Sequence, residues 1–210
     1  MTHIAIDGPA ASGKTSLGHA LAQHFGFLFV ETGKMYRAVA LGLNRGLALD
    51  EVHITMNDAG RILLNNDDVS DILHTPILDQ GSSRVATRPE VRQLLVRLQQ
   101  EIAAGRAVVM EGRDIGTVVL PHADVKIFLQ ASPEERARRR ASERHQAELD
   151  KTLREIITRD TRDQTRAIAP LNPASDATII RTDNKSLAEV VSEVIALVEE
   201  RLHTGDEAAK

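Results

Sequence analysis

Short apolar runs alternate along this chain with longer stretches in which apolar residues recur every three or four positions. The runs His3–Asp7, Phe27–Val30, Ala107–Met110, Val125–Leu129 and Thr178–Arg181 are expected strands. They are nearly continuous in aliphatic residues, the pattern of strands covered on both faces. The periodic stretches Lys14–Phe25, Lys34–Asn44, Pro76–Val85, Glu90–Ala103, Pro133–His145, Leu149–Asp160 and Leu187–His203 are expected helices. The last carries apolar residues at 187, 190, 191, 194, 195, 198 and 202, with Ser186 placed to cap it. Strands alternating with helices predict an α/β fold, a five-stranded parallel sheet flanked by helices.

Two stretches interrupt the alternation. Val52–Asn57 and Arg61–Asn65, joined by Asp58-Ala59-Gly60, read as a β-hairpin in a small lobe over about 45–85. His145–Asp150 is a polar break between two Arg-bearing helices, the expected tip of a mobile lid over about 133–166. The core is then 1–44, 86–132 and 167–204, all one domain, and 205–210 is a polar tail expected to fray.

Composition narrows the chemistry. Apolar residues make up 42% of the 210, but aromatics only 2%, so the core is built from Leu, Ile, Val and Ala. The chain has no Cys, which excludes disulfides, thiolate metal sites and a Cys nucleophile. Its eight His are scattered; neither His19 with Gln23 nor His122 with His145 has a metal-ligand spacing. A net charge of −4 provides no global basic field, so no nucleic-acid partner is expected. No stretch approaches the ~18 apolar residues of a membrane span, and the first residues form a strand rather than a leader. A cytoplasmic monomer is expected. Arginines are nevertheless clustered: Arg136, Arg138, Arg139 and Arg140 in one group, Arg154, Arg159, Arg162 and Arg166 in another. On helices such runs are either a solvated face or a phosphate clamp.

Residues 8–15, Gly-Pro-Ala-Ala-Ser-Gly-Lys-Thr, have the spacing G-x-x-x-x-G-K-[ST]. They lie between an expected strand and an expected helix, the context that a nucleotide phosphate site requires. Gly8, Pro9, Ala10, Ala11, Ser12, Gly13, Lys14, Thr15 and Ser16 are therefore expected to hold ATP. The backbone N–H groups and the helix N-terminus would face the phosphates. Lys14 would bridge the outer phosphates, and the Thr15 hydroxyl would hold Mg²⁺. The loop alone does not name the reaction. A guanine-reading Asn-Lys-x-Asp is missing, because Asn184-Lys185 runs on into Ser186-Leu187. A protein kinase is excluded by the loop type and by the lack of an H-R-D loop. A small kinase remains.

The chain carries several further motifs: Ile6-Asp7-Gly8-Pro9, Glu31-Thr32-Gly33-Lys34-Met35-Tyr36-Arg37, Met110 to Val119, and Arg166-Ala167-Ile168-Ala169-Pro170-Leu171. With Ser83–Arg92 and Lys126–Arg140 they make the chain, from its first strand to about residue 200, resemble the bacterial cytidylate kinases. The resemblance implies a nucleoside monophosphate kinase fold and transfer of the γ-phosphoryl group of ATP to CMP or dCMP with Mg²⁺. It places Arg37, Arg113 and Arg159 on acceptor phosphate, with Thr32 beside the acceptor. It places Ser83, Arg92 and Asp114 at the base, and Asp163 and Arg166 around sugar and base. Arg136, Arg139, Arg140 and Arg162 would close on the ATP phosphates, Arg162 as a catalytic residue with Lys14, Arg113 and Arg159. Arg113-Asp114 can also be read as a plain ion pair, and Arg92 as a helix-surface residue. Glu31 stands where the family usually has Asp, and is expected to reach the Mg²⁺ through a water. The stretch between Arg45 and Val69 is shorter than in longer family members. The chemistry agrees with the arginines: an acceptor phosphate is already anionic, so positioning cations matter more than a general base.

Overall fold

The computed structural model describes residues 1–143 and 148–208. Its main sheet has five strands: β1 (His3–Asp7), β2 (Leu28–Glu31), β6 (Val108–Gly112), β7 (Val125–Gln130) and β8 (Thr178–Arg181). All pairings are parallel, and the spatial order is β2-β6-β1-β7-β8. The helices are α1 (Lys14–Phe25), α2 (Thr32–Asn44), α3 (Pro76–Val85), α4 (Pro89–Ala103), α5 (Pro133–Glu143), α6 (Leu149–Thr165) and α7 (Leu187–Ala208).

Alternation along each strand explains the continuous apolar runs. Ala5, Val30, Val108 and Met110 join the core on the side of α2 and α4. Ile4, Ile6, Val109, Val125, Ile127 and Leu129 join a second core with α1 and α7. Because β1 is central and the chain runs outward from it in both directions, the crevice for ligands lies at the carboxyl ends of the strands. Register brings Asp7 level with Gly112, and Glu31 level with Glu111, at that edge.

The lobe is a small antiparallel sheet of β3 (Ile54–Met56), β4 (Ile62–Leu64) and β5 (Asp67–Asp68). The expected hairpin is present, closed by Asn57 Oδ1 accepting from Ala59 and Arg61 N–H. The third strand was not foreseen. It follows a turn in which Asn65 and Asn66 both have positive φ, 50° and 72°, the backbone of a tight hairpin turn that Asn tolerates. Val52, Ile54, Ile62, Leu64 and Val69 join the α2-side core, which anchors the lobe.

Boundaries shift where tertiary contacts win. β6 runs on to Gly112, because Glu111 and Gly112 keep pairing with Glu31 and Asp7. α6 continues to Thr165, five residues beyond the polarity-based end at Asp160; Asp160 and Asp163 are buried against Arg136 and Arg113. Ser186 does cap α7: Glu189 N–H donates to its Oγ at 3.3 Å, and the Glu189 carboxylate accepts from Ser186 N–H at 2.8 Å. α7 extends to Ala208, past the point where a frayed tail was expected, and 209–210 lie outside the described residues. So do 144–147, onto which the first half of the expected lid tip, 145–147, falls. No helix of the described residues is long and apolar enough to cross a membrane.

Candidate active site

The loop from β1 into α1 is tightly curled. Gly8 has φ +149°, and a Cβ there would stand 2.5 Å from the carbonyl oxygen of Leu129, too close for any other residue. Ala11 and Gly13 also take positive φ, 58° and 94°. Ala10 to Ser16 line a cleft of about 470 Å³. Gly8 lies beneath the loop, and Pro9 borders a second cleft on its other side.

Lys14 folds back into its own loop, donating to Pro9 O at 2.7 Å and Ser12 Oγ at 3.4 Å. Burial, then the guanidinium groups of Arg113 and Arg159, push its ammonium down to about 7. Burial followed by Arg113 also lowers Arg159 to about 9. Cations held together at such a cost mark a place that an anion completes. The shift has a sign. The unfolded chain keeps a Lys14 proton up to its ordinary 10.5, so this group's contribution to stability rises with pH between about 7 and 10.5. A bound phosphate opposes that shift, so binding an ATP analogue near pH 8 is expected to take up protons. Calorimetry in buffers of different ionisation enthalpy measures it, and binding heats independent of buffer would contradict it.

At the floor, Thr15 Oγ1 donates to Glu111 Oε1 at 2.9 Å, while Glu111 Oε2 is buried without a hydrogen-bond partner among the described residues. Burial raises the Glu111 carboxyl above its ordinary value. Glu31, the carboxylate expected beside the metal, lines the same cleft, with Arg37 on its Oε1 at 3.1 Å and Lys34 on its Oε2 at 3.1 Å. The carboxylate that meets Thr15 is Glu111, at the carboxyl end of β6. Neighbouring Asp7, at the end of β1, accepts the N–H groups of Ile115 and Gly116 at 2.8 Å each. Burial raises its carboxyl to about 6. It ties the π-turn Ile115–Val119, and with it Arg113-Asp114, to the strand that leads into the loop.

The far end of the cleft collects the expected acceptor residues. Thr32 Oγ1 donates to Glu111 O at 2.7 Å. Arg37 donates Nε to Asp79 Oδ1 at 3.0 Å. Arg113 Nε and Ser83 Oγ both donate to Asp163, at 3.0 Å each. Arg159 stands between Asp79 and Asp163, at 3.8 and 3.9 Å. Asp114 is gripped on both oxygens, by Arg92 Nη2 on Oδ2 and by Arg166 Nη2 on Oδ1 at 3.2 Å. The plain Arg113–Asp114 pair therefore does not form; each residue has a different partner. Arg92 does not lie on the surface of α4 but is 4% exposed, behind Asp114. It also donates to Tyr36 Oη at 3.4 Å. Burial lifts the Tyr36 phenol to about 12.

The lid arginines part company. Arg140 borders the cleft and pairs with Asp79. Arg136 is buried on the other side of the loop, pairing with Asp160 at 2.6 Å and donating to Ala10 O at 3.1 Å. It walls the second cleft, about 530 Å³, with Phe128, Ile157 and Leu171. Arg139 and Arg162 border neither cleft. Arg139 is engaged by Thr182 O and Oγ1, and Arg162 by Gln80 Oε1 at 3.3 Å. The reading from motifs assigned no role to Glu111 or Asp79. Glu111 had a signal, an acid closing an apolar strand; Asp79 had none.

A family model, cytidylate kinase, matches residues 4–200. The chain belongs to the cytidylate kinase family. A cytidylate kinase from Pelotomaculum thermopropionicum is 44% identical over 93% of this chain and 95% of its own. One from Thermotoga maritima is 43% identical over 96% of this chain and 98% of its own. A gluconokinase from Sinorhizobium meliloti superposes with a TM-score of 0.53 at 16% identity over 97% of each chain. That likeness concerns the fold, a P-loop kinase sheet with flanking helices. Membership in the cytidylate kinase family makes the protein a phosphotransferase.

Proposed function

We propose that this kinase transfers the γ-phosphoryl group of ATP to the phosphate of CMP or dCMP, by in-line attack across the cleft. One arrangement carries the reading. The phosphate loop with Lys14 stands at one end of the cleft, and Asp114, clamped by Arg92 and Arg166, stands at the other. Arg113 and Arg159 lie close enough to Lys14 to depress its proton affinity. Such a cluster neutralises two phosphate chains as they are brought together. The second cleft, where Phe128, Ile157 and Leu171 meet Arg136 and polar Gln130 and Asp183, suits the nucleoside end of ATP.

Thr15 and Glu111 fit Mg²⁺: a hydroxyl and a buried carboxylate, one of whose oxygens has no partner among the described residues. Once bound there, Mg²⁺ would neutralise charge on the transferred phosphoryl group. The chain's own residues orient the rest. Lys14 leaves Pro9 O for the phosphates, Arg37 and Arg159 hold the acceptor phosphate, and Arg140 closes from α5. Arg139 and Arg162 brace the lid through Thr182 and Gln80. The protein acts as a monomer on free nucleotides in the cytoplasm, without nucleic acid.

Base choice follows from donor and acceptor patterns. Each Asp114 oxygen keeps a lone pair beyond its arginine, so the carboxylate accepts from cytosine N4, where uracil offers a carbonyl. Ser83 and Asp163 would meet the sugar. Asp114→Asn offers a donor as well as an acceptor, and is expected to narrow the CMP-over-UMP preference by about 1–3 kcal/mol. Arg37→Ala is expected to weaken CMP, dCMP and UMP alike, since their phosphate is common. The readout is kcat/KM for the three acceptors on each variant. The reverse pattern, with Arg37→Ala changing the ratios and Asp114→Asn lowering all equally, would place the base elsewhere.

A further inference from the structure

Among the described residues, Asp79 gathers three arginines from three parts of the chain. It lies in the first turn of α3, in the lobe, 7% exposed at the wall of the cleft. Its Oδ1 accepts from Arg37 Nε, on α2, at 3.0 Å and stands 3.8 Å from Arg159 Nη1, on α6. Its Oδ2 accepts from Arg140 Nη2, on α5. α2 belongs to the core, whereas α5 and α6 form the expected lid. Arg159 is held loosely: its buried Nε has no hydrogen-bond partner among the described residues, and Asp163 is 3.9 Å away. One carboxylate collecting several guanidinium groups does the work of a phosphate, with fewer oxygens and less charge.

We propose that Asp79 is an internal counter-anion, holding Arg37, Arg140 and Arg159 at the acceptor end of the cleft until the acceptor's phosphate takes them over. This rests on the cleft taking a nucleoside monophosphate. Phosphate binding is then an exchange of anions. The incoming group brings about two charges at neutral pH, and it outcompetes a single carboxylate. The displaced Asp79 is left buried beside a like charge, which weakens acceptor binding and hastens release of the product. In the free protein the same contact docks lid on lobe. Asp79 is a positioning residue and touches no reacting atom.

The isosteric Asp79→Asn removes the charge with little change of shape. Two measurements on the full chain test it. Amide hydrogen exchange of the substrate-free protein should quicken several-fold in 133–143 and 149–165, and stay unchanged in α1. Calorimetric titration should show CMP and inorganic phosphate binding about three- to tenfold more tightly, the scale of removing one screened like charge. Arg140→Gln removes the α5 arm of the contact and leaves the Asp79 charge. It should quicken exchange in 133–143 without tightening phosphate. Unchanged lid exchange in Asp79→Asn, or weaker phosphate binding, overturns the proposal and makes Asp79 a structural support of the pocket. A wild-type protein that binds phosphate but not CMP would instead defeat the proposed acceptor, and the counter-anion would still be decided by phosphate and by exchange.

Discussion

Lys14→Ala is expected to lower turnover by about 10²–10⁴-fold, the scale of a lost electrostatic stabiliser. The thermal midpoint should hold or rise. The wild-type ammonium is buried, and Arg113 and Arg159 beside it lower its proton affinity further. Among the described residues its bonds are to Pro9 O and Ser12 Oγ in its own loop. A group kept in so unfavourable a place contributes little to folding, and its value appears when phosphate arrives. Steady-state kinetics together with thermal unfolding separates the two effects. Near wild-type turnover, or a collapse of stability with turnover per folded molecule intact, would make Lys14 a structural residue.

Glu111→Gln is expected to lower turnover by about 10²–10³-fold and to raise the Mg²⁺ concentration needed for half-maximal rate. The substitution keeps the size of the side chain and its bond to Thr15. It removes only the charge, which burial already disfavours, so the fold should not suffer. Rate measured against Mg²⁺ concentration shows the effect, with calorimetric Mg²⁺ titration in the presence of an ATP analogue as a check. Glu31→Gln is the comparison: Glu31 is engaged by Lys34 and Arg37, so its Mg²⁺ response should stay near that of wild type. Equal Mg²⁺ responses in the two variants would remove Glu111 from the metal side of the site.

The core was legible because its signals are local. Each strand of the main sheet is a run of aliphatic residues, and the phosphate loop is a fixed spacing. Side-chain partners were less legible, because they join residues far apart in sequence. Arg113 and Asp114 are neighbours in the chain, but the end of β6 turns one toward Asp163 on α6 and the other toward Arg92 on α4. Glu111 acquires its place only when β6 is laid beside β1, and spacing does not reveal the strand order β2-β6-β1. The lid arginines look alike on paper. On the helix, Arg140 falls on the face toward Asp79 and Arg139 on the face toward Thr182, with Arg136 turned under the loop. Polarity ended α6 too early for the same reason. The helix was expected to stop at Asp160, yet Asp160 and Asp163 are each buried against an arginine from another element.

The central claim is the acceptor. It is tested most directly by coupled ADP-release kinetics of the purified chain with ATP, Mg²⁺ and a panel of CMP, dCMP, UMP, AMP and shikimate. Rapid ADP release with CMP and dCMP, far slower release with UMP and AMP, and none with shikimate is the predicted result. Equal rates across the nucleotides, preference for another acceptor, or ADP release independent of any acceptor would contradict a cytosine-reading monophosphate kinase.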